Sequence, residues 1–140
     1  MPSQMKRRFV DSNIFIYILL KDPRYGTACL RMLERIEKGE DEGVTSTLVV
    51  SQVIAHLARR GKDEAIKLFI DYIQEAGIAV METTFLDFVE AVAEMNRLNL
   101  SCSMWDDLVL ACQMRRGKVQ EIYTNDRDFE KIGWVKPIFP

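Results

Sequence analysis

A chain of 140 residues, 48% apolar and 29% charged, is long enough for one domain, residues 1–140, with a sizeable core. Its 19 basic and 21 acidic side chains leave a formal charge of −2, so no field of the whole molecule attracts a polyanion; a histone-like binder is disfavoured and any nucleic-acid contact has to be local. No apolar run reaches membrane-spanning length, and "RFVDSN" cuts short the apolar stretch that a secretory leader would need after "MPSQMKRR". A soluble, cytoplasmic protein is expected. Cys29, Cys102 and Cys112 are odd in number, lack metal-ligand spacing and sit among apolar residues, which also suits a reducing compartment.

In chain order, "RFV" at 8–10 reads as a first strand, followed by helical spacing over 13–20 and 24–38 with Gly39 as a stop. "GVTS" at 43–46 offers a second strand, then helices over 47–60, ended by Gly61, and 63–76, ended by Gly77. "IAVME" at 78–82 gives a third strand, helices follow over 84–98 and 104–116 with Gly117 as the last stop, and "EIYT" at 121–124 gives a fourth strand. "RDFEKIGWVKPIF" holds one helical turn and a final short strand. This alternation predicts a mainly parallel sheet covered by helices. The one internal echo, "RRGK" at 59–62 and 115–118, closes a helix both times, where cations meet the helix dipole and glycine allows a left-handed stop.

Ligands of open parallel sheets bind beyond the carboxyl ends of the strands. Asp11 follows "RFV", Asp126 follows "EIYT", and Asp106 and Asp107 open the helix in "SMWDDLVLACQM". Three separate segments can therefore aim carboxylates at one place. Gathered like charges raise each other's pKa and destabilise a fold unless a hard cation such as Mg²⁺ or Mn²⁺ neutralises them, so the set reads as a metal site. Each acid also has a local alternative. Asp11 can cap the helix that begins near Ser12, Asp106 can complete a capping box with Ser103, and Asp126 can form the turn in "TNDRDF".

"FVDSNIFIYIL", "SMWDDLVLACQ" and "IYTNDRDFEKI" resemble the three best-marked motifs of the PIN-domain nucleases, which include the VapC-type toxins of toxin–antitoxin pairs, and the likeness runs over nearly the whole chain. The resemblance implies a three-layer α/β/α sandwich with a mainly parallel central sheet, and an acidic pocket that uses Mg²⁺ or Mn²⁺ to hydrolyse RNA phosphodiesters. It assigns Asp11, Asp106 and Asp126 as catalytic metal ligands. Asn13 and Thr124 become their supports, and Asp107 and Asp128 reserve acids. It further implies a homodimer and a possible antitoxin protein as partner. One position departs from the pattern: the family usually carries a glutamate in the helix after the second strand, where "TSTLVVSQVIAHL" has Gln52, which offers a carbonyl oxygen but no charge. His56, one turn later, is open as a site residue or a local hydrogen-bonding group.

The departure keeps a second function in view, a catalytically weakened PIN-like domain that binds RNA or protein. Two other folds gather aspartates in the same way. A phospho-acceptor receiver would need a lysine after a late strand, which "IYTND" lacks, and a haloacid-dehalogenase-like phosphatase a second Asp two residues after the first, which "DSN" lacks. RNA binding by a slightly acidic domain calls for rim cations such as Lys21, Arg24 or Arg127, or for a dimer that joins two rims. Leu68, Phe69, Tyr72, Phe85, Phe88 and Val92 form more apolar surface than a small sheet can cover, which also points to a dimer.

Overall fold

The computed structural model describes residues 5–140, so the first part of the leader reading, residues 1–4, lies outside the described residues. Five strands, β1 (Lys6–Val10), β2 (Asp41–Ser46), β3 (Ala79–Met81), β4 (Glu121–Tyr123) and β5 (Lys136–Ile138), form one sheet in the order β3-β2-β1-β4-β5. Every pairing is parallel; Phe9 stands opposite Val44 on one side and Ile122 on the other. The central strands are apolar on both faces, as a sheet covered on both sides requires, and Phe9, Val10, Val44 and Ile122 are fully buried.

Among the described residues six helices cover the sheet: α1 (Ser12–Leu19), α2 (Gly26–Glu37), α3 (Thr47–Arg59), α4 (Asp63–Glu75), α5 (Phe85–Arg97) and α6 (Trp105–Arg116). Two steps lead outward from β1, through α1 and α2 to β2 and through α3 and α4 to β3. The return through α5 and α6 to β4 runs the other way. Right-handed crossovers therefore place these two groups of helices on opposite faces, and the contacts agree: α1 packs on α2, α3 and α4, and α5 packs on α6. The expected α/β/α sandwich is what the chain forms. The strand order reverses between β1 and β4, so their carboxyl ends open a crevice at the topological switch point.

Local sequence accounts for the element limits. Gly39, Gly61 and Gly77 adopt φ of 76°, 66° and 73°, the left-handed stops expected of them. Gly117 does not; its φ is −83° and Lys118, at 57°, takes the left-handed position. Space explains the glycine instead, since a Cβ there would lie 3.1 Å from the Met81 side chain. Each "RRGK" copy has an arginine with a side-chain partner: Arg60 bonds His56, and Arg116 pairs with the buried Asp87 at 2.9 Å, tying α6 to α5. Helix α6 is buried almost all round from Asp107 to Met114, which marks it as the helix nearest the centre of the molecule. Cys29 and Cys112 are buried as small hydrophobes, whereas Cys102 is exposed, because it opens a 3-10 turn (Cys102–Met104) on the surface. Among the described residues no helix is long and apolar enough to cross a membrane.

Candidate functional site

Asp11 stands where β1 gives way to α1. Its N–H still extends the sheet by donating to the Tyr123 carbonyl at 3.0 Å, while its Oδ1 accepts the Ser12 N–H at 2.7 Å and so caps α1. Oδ2 faces the crevice, where it accepts the Thr124 hydroxyl at 2.7 Å and the Asn13 amide at 3.2 Å. Thr124, wholly buried at the end of β4, also accepts the Asp126 N–H at 3.0 Å. Asp126 then caps the 3-10 turn Arg127–Lys131, its Oδ1 accepting the Asp128 N–H at 2.9 Å. The capping and turn readings of Asp11 and Asp126 thus hold alongside their place at the strand ends, because one oxygen caps and the other is left for the crevice.

The third and fourth sides come from α6 and α3. Asp106 Oδ1 accepts the N–H of Asp107, and its Oδ2 accepts the Gln52 Nε2–H at 3.2 Å. Its expected capping box with Ser103 is absent: Ser103 bonds Ser101, and α6 starts from Met104 with no side-chain cap. Asp107 turns inward. One carboxylate oxygen from each of Asp107, Asp126 and Asp128 lies within 4.8 Å of the others, close enough for a single cation to bridge them. The tightest oxygen cluster therefore includes two acids that the sequence ranked as reserves, while Asp11 and Asp106 border it. Gln52 Oε1 is buried without a hydrogen-bond partner. A set made only of carboxylate and amide oxygens, with one buried acceptor left over, fits a hard divalent cation.

Charge accounts for the ionisation of the site. Burial, opposed by the Thr124 and Ser12 hydrogen bonds, pushes Asp11 up to about 6, with the charges of Asp126 and Asp106 adding to the rise. Burial and then Asp126 hold Asp106 above the ordinary carboxylate value. Asp107 is raised furthest, by burial and then by the charges of Asp126 and Asp106, so its carboxyl keeps its proton at neutral pH in the absence of a cation. Each of these pKa values is higher folded than unfolded, so each group adds stability that is full below the unfolded value near 3.8 and is lost as pH rises through the folded value. His56, lowered by burial and by Arg60 and Arg59, acts in the opposite sense below the ordinary imidazole value of 6.5, and Asp41, lowered by Arg35 and Tyr123 against its burial, only below 3.8. The metal-free protein should therefore melt several degrees higher at pH 5 than at pH 8: Asp11 alone contributes about 1.4 kcal/mol to the difference, and the larger rise of Asp107 adds to it against the opposing effect of His56. Saturating Mg²⁺ should flatten that dependence in a calorimetric scan; a melting point that falls steadily below pH 8 without metal would disprove the electrostatic picture.

Of the sequence candidates, Asp11, Asn13, Gln52, Asp106, Asp107, Thr124, Asp126 and Asp128 all come together at this crevice. His56 does not join them, since its Nε2 accepts the Arg60 Nε–H at 2.9 Å. Among the rim cations, Arg127 is paired with Glu130 at 2.8 Å and lies over Phe139, and Arg24 lies over Tyr25. Sequence reasoning passed over Asn125 and Tyr17. The Asn125 N–H donates to Asn13 Oδ1 at 3.1 Å and its amide to the Tyr17 hydroxyl at 3.0 Å, which fixes the loop that carries Asp126. The polar "TND" run after a strand is the signal that could have suggested it.

Comparison with curated proteins finds no sequence match. Solved structures are similar in fold. A VapBC2 complex from Rickettsia felis bound to a promoter DNA fragment has a chain that matches at 15% identity with a TM-score of 0.73, over 95% of this chain and 98% of that one. VapC20 of Mycobacterium tuberculosis, described as a Sarcin-Ricin loop cleaving toxin, matches at 19% identity with a TM-score of 0.74, over 91% and 95%. A DNA-bound VapBC from Salmonella typhimurium matches at 15% identity with a TM-score of 0.70, over 97% and 98%. The PIN domain family is matched over residues 8–135, nearly the whole length, and with the acid-lined crevice at the β1 and β4 ends this chain belongs to the PIN domain family.

Proposed function

We propose that the protein is a metal-dependent ribonuclease that serves as the toxin of a toxin–antitoxin pair. The observation that carries this reading is the convergence of acids from three chain segments on the switch-point crevice, with Asp107, Asp126 and Asp128 at bridging distance. Asp11, Asp106 and Asp126 would hold Mg²⁺ or Mn²⁺, directly or through water, with Asp107 and Asp128 completing the oxygens. Held there, such a cation would supply positive charge opposite the phosphate and the Lewis acidity that makes water a nucleophile at neutral pH. Thr124 and Asn13 keep Asp11 Oδ2 aimed into the crevice, and Gln52 does the same for Asp106. Asp107, protonated while no cation is near, can lie beside Asp126 without the full cost of two buried charges.

A role in binding alone has less support. Carboxylates repel a phosphate backbone, so an RNA-binding surface without a cation gains nothing from them. The test is cleavage of a structured RNA by the purified protein with Mg²⁺ or Mn²⁺, inhibited by chelator and absent in Asp106→Asn. Retained cleavage in that variant, or none in the parent with either ion, would remove the assignment.

Two protein contacts belong to this reading. The solved relatives include toxin–antitoxin complexes, and the apolar groove of about 470 Å³ between α1, α2 and α4, lined by Phe15, Leu33, Phe69 and Tyr72 and rimmed by Glu37 and Asp71, suits an amphipathic antitoxin segment with basic flanks. The second contact is a homodimer through α5, where Phe85, Phe88, Val89 and Val92 lie at helical spacing on one exposed apolar stripe. Val89→Asp should raise the dimer dissociation constant about a hundredfold, since a carboxylate would have to leave water. Light scattering at micromolar concentration reads the result, and a monomeric parent would exclude the dimer.

A further inference from the structure

We propose that Trp105 is a stacking platform for an RNA base beside the phosphate that the acidic crevice engages, an inference that rests on the ribonuclease reading. Trp105 is the first residue of α6 and directly precedes Asp106. Side chains in a helix lean toward its N-terminus, so the indole leans toward the end at which Asp106 and Asp107 meet the strand ends. It is 46% exposed, whereas the helix beyond Asp106 is buried as far as Met114. Phe88 of α5 lies nearly parallel to it, with centroids 6.3 Å apart and 25° between the planes, which backs one side of the ring and leaves the rest open.

The chemistry of the crevice calls for such a contact. Its wall is acidic, and the two cations of the turn that carries Asp128 are engaged, Arg127 with Glu130 and Lys131 with Asp128 at 3.1 Å. The wall's own side chains therefore offer the bases of an RNA strand little to hold them. Every base has a flat π-face, and unpaired RNA is held elsewhere by stacking on aromatic side chains. A ring already fixed by Phe88 loses little freedom on binding. The other tryptophan is differently used: Trp134 donates its N–H to the Ala111 carbonyl at 2.8 Å and is covered by the Arg115 guanidinium, 4.3 Å from the ring centre. The Trp105 indole N–H has no hydrogen-bond partner among the described residues, the backbone N–H alone being engaged, with the Cys102 carbonyl.

The chain has two tryptophans, so Trp134→Phe leaves Trp105 as the sole indole reporter. Titration of that variant with a single-stranded oligoribonucleotide should quench its fluorescence saturably, and an abasic strand of equal charge should not. Trp105→Ala should raise KM for RNA cleavage by about 5- to 100-fold with kcat nearly unchanged, and Trp105→Phe should restore most of the loss. Unchanged KM and no base-dependent quench in a protein that cleaves RNA would overturn the platform and leave the ribonuclease reading standing. A parent that cleaves no RNA would sink that reading, and base-dependent quenching would still decide the stacking. A Trp105→Ala protein that becomes monomeric in light scattering, with KM restored at concentrations that reform the dimer, would make Trp105 a subunit contact and overturn the proposal.

Discussion

Asp126→Asn is expected to reduce metal-dependent RNA cleavage at least a thousandfold while raising the melting temperature of the metal-free protein by about 3–6 °C. Asp126 is the acid whose charge reaches the most neighbours; it contributes to the raised pKa of Asp11, of Asp106 and of Asp107. Two unit charges 4.8 Å apart, the widest separation in this cluster, repel by roughly 3.5 kcal/mol at an effective dielectric of 20, and the proton that Asp107 holds without a cation reduces the net repulsion around Asp126 to about 1–2 kcal/mol. Asparagine removes the charge but keeps an oxygen to accept the Asp128 N–H, so the turn Arg127–Lys131 stays capped. Cleavage responds in the opposite direction, because a ligand whose charge is missing forfeits several kcal/mol of transition-state stabilisation, about 4 of which make a thousandfold. Calorimetry without metal and a cleavage assay with Mn²⁺ measure the two halves. A variant that melts below the parent and cleaves as fast would reduce Asp126 to a turn former.

The opposite signs of those two effects show which parts of the site the sequence could reveal. Asp11, Asp106 and Asp126 are legible because each belongs to a local pattern: an acid directly after an apolar strand, or one opening an apolar helix. Their assembly is not local. Which of Asp106 and Asp107 faces Asp126 depends on how α6 is rotated about its axis, and that is fixed by the burial of Leu108 to Met114 on every side, where no single amphipathic face marks the inward direction. Asp128 joins the cluster only because Asp126 turns the chain back by accepting its N–H.

The same limit appears on the surface. Phe69 and Phe85 both look like excess aromatic surface in the sequence, yet Phe69 is in the core, edge-on to Phe15 at 5.2 Å, while Phe85 is 82% exposed. Both sit on amphipathic helices, and only the packing of α4 against α1 and α3 separates a core face from an uncovered one. Gly117 follows suit: a glycine after a helix suggests a left-handed stop, but the approach of Met81 from another element is what this position accommodates. The mainly parallel sheet, by contrast, is legible in the alternation of short apolar runs and amphipathic segments, which is why the acids could be placed at the carboxyl ends of strands before their contacts were known.

Gln52→Glu should lower the melting temperature of the metal-free protein, enlarge the rise produced by Mg²⁺ or Mn²⁺, and increase RNA cleavage. In the parent the Gln52 amide donates to Asp106 Oδ2 at 3.2 Å, a neutral contact that offsets part of the crowding of carboxylates. Glutamate reverses it: a donor becomes an acceptor, and two carboxylates at that distance repel by as much as about 5 kcal/mol at an effective dielectric of 20. The pair relieves itself by sharing a proton, so the loss of stability should be several degrees at pH 8 and small at pH 5. With a divalent cation the balance changes, because each added carboxylate is attracted about twice as strongly as it would be to a single charge. Gln52 Oε1, buried and without a partner, marks the place where the second glutamate oxygen would lie. Tighter binding then appears as a larger metal-induced shift in melting, by about 1.4 kcal/mol for each tenfold gain in affinity at saturating metal. Thermal melts at both pH values, with and without metal, and a parallel cleavage assay follow all three effects. If melting and cleavage in the variant track the parent at every metal concentration, Gln52 takes no part in the site. If the metal response grows while RNA stays intact, the crevice binds metal without cutting, and the ribonuclease assignment fails there.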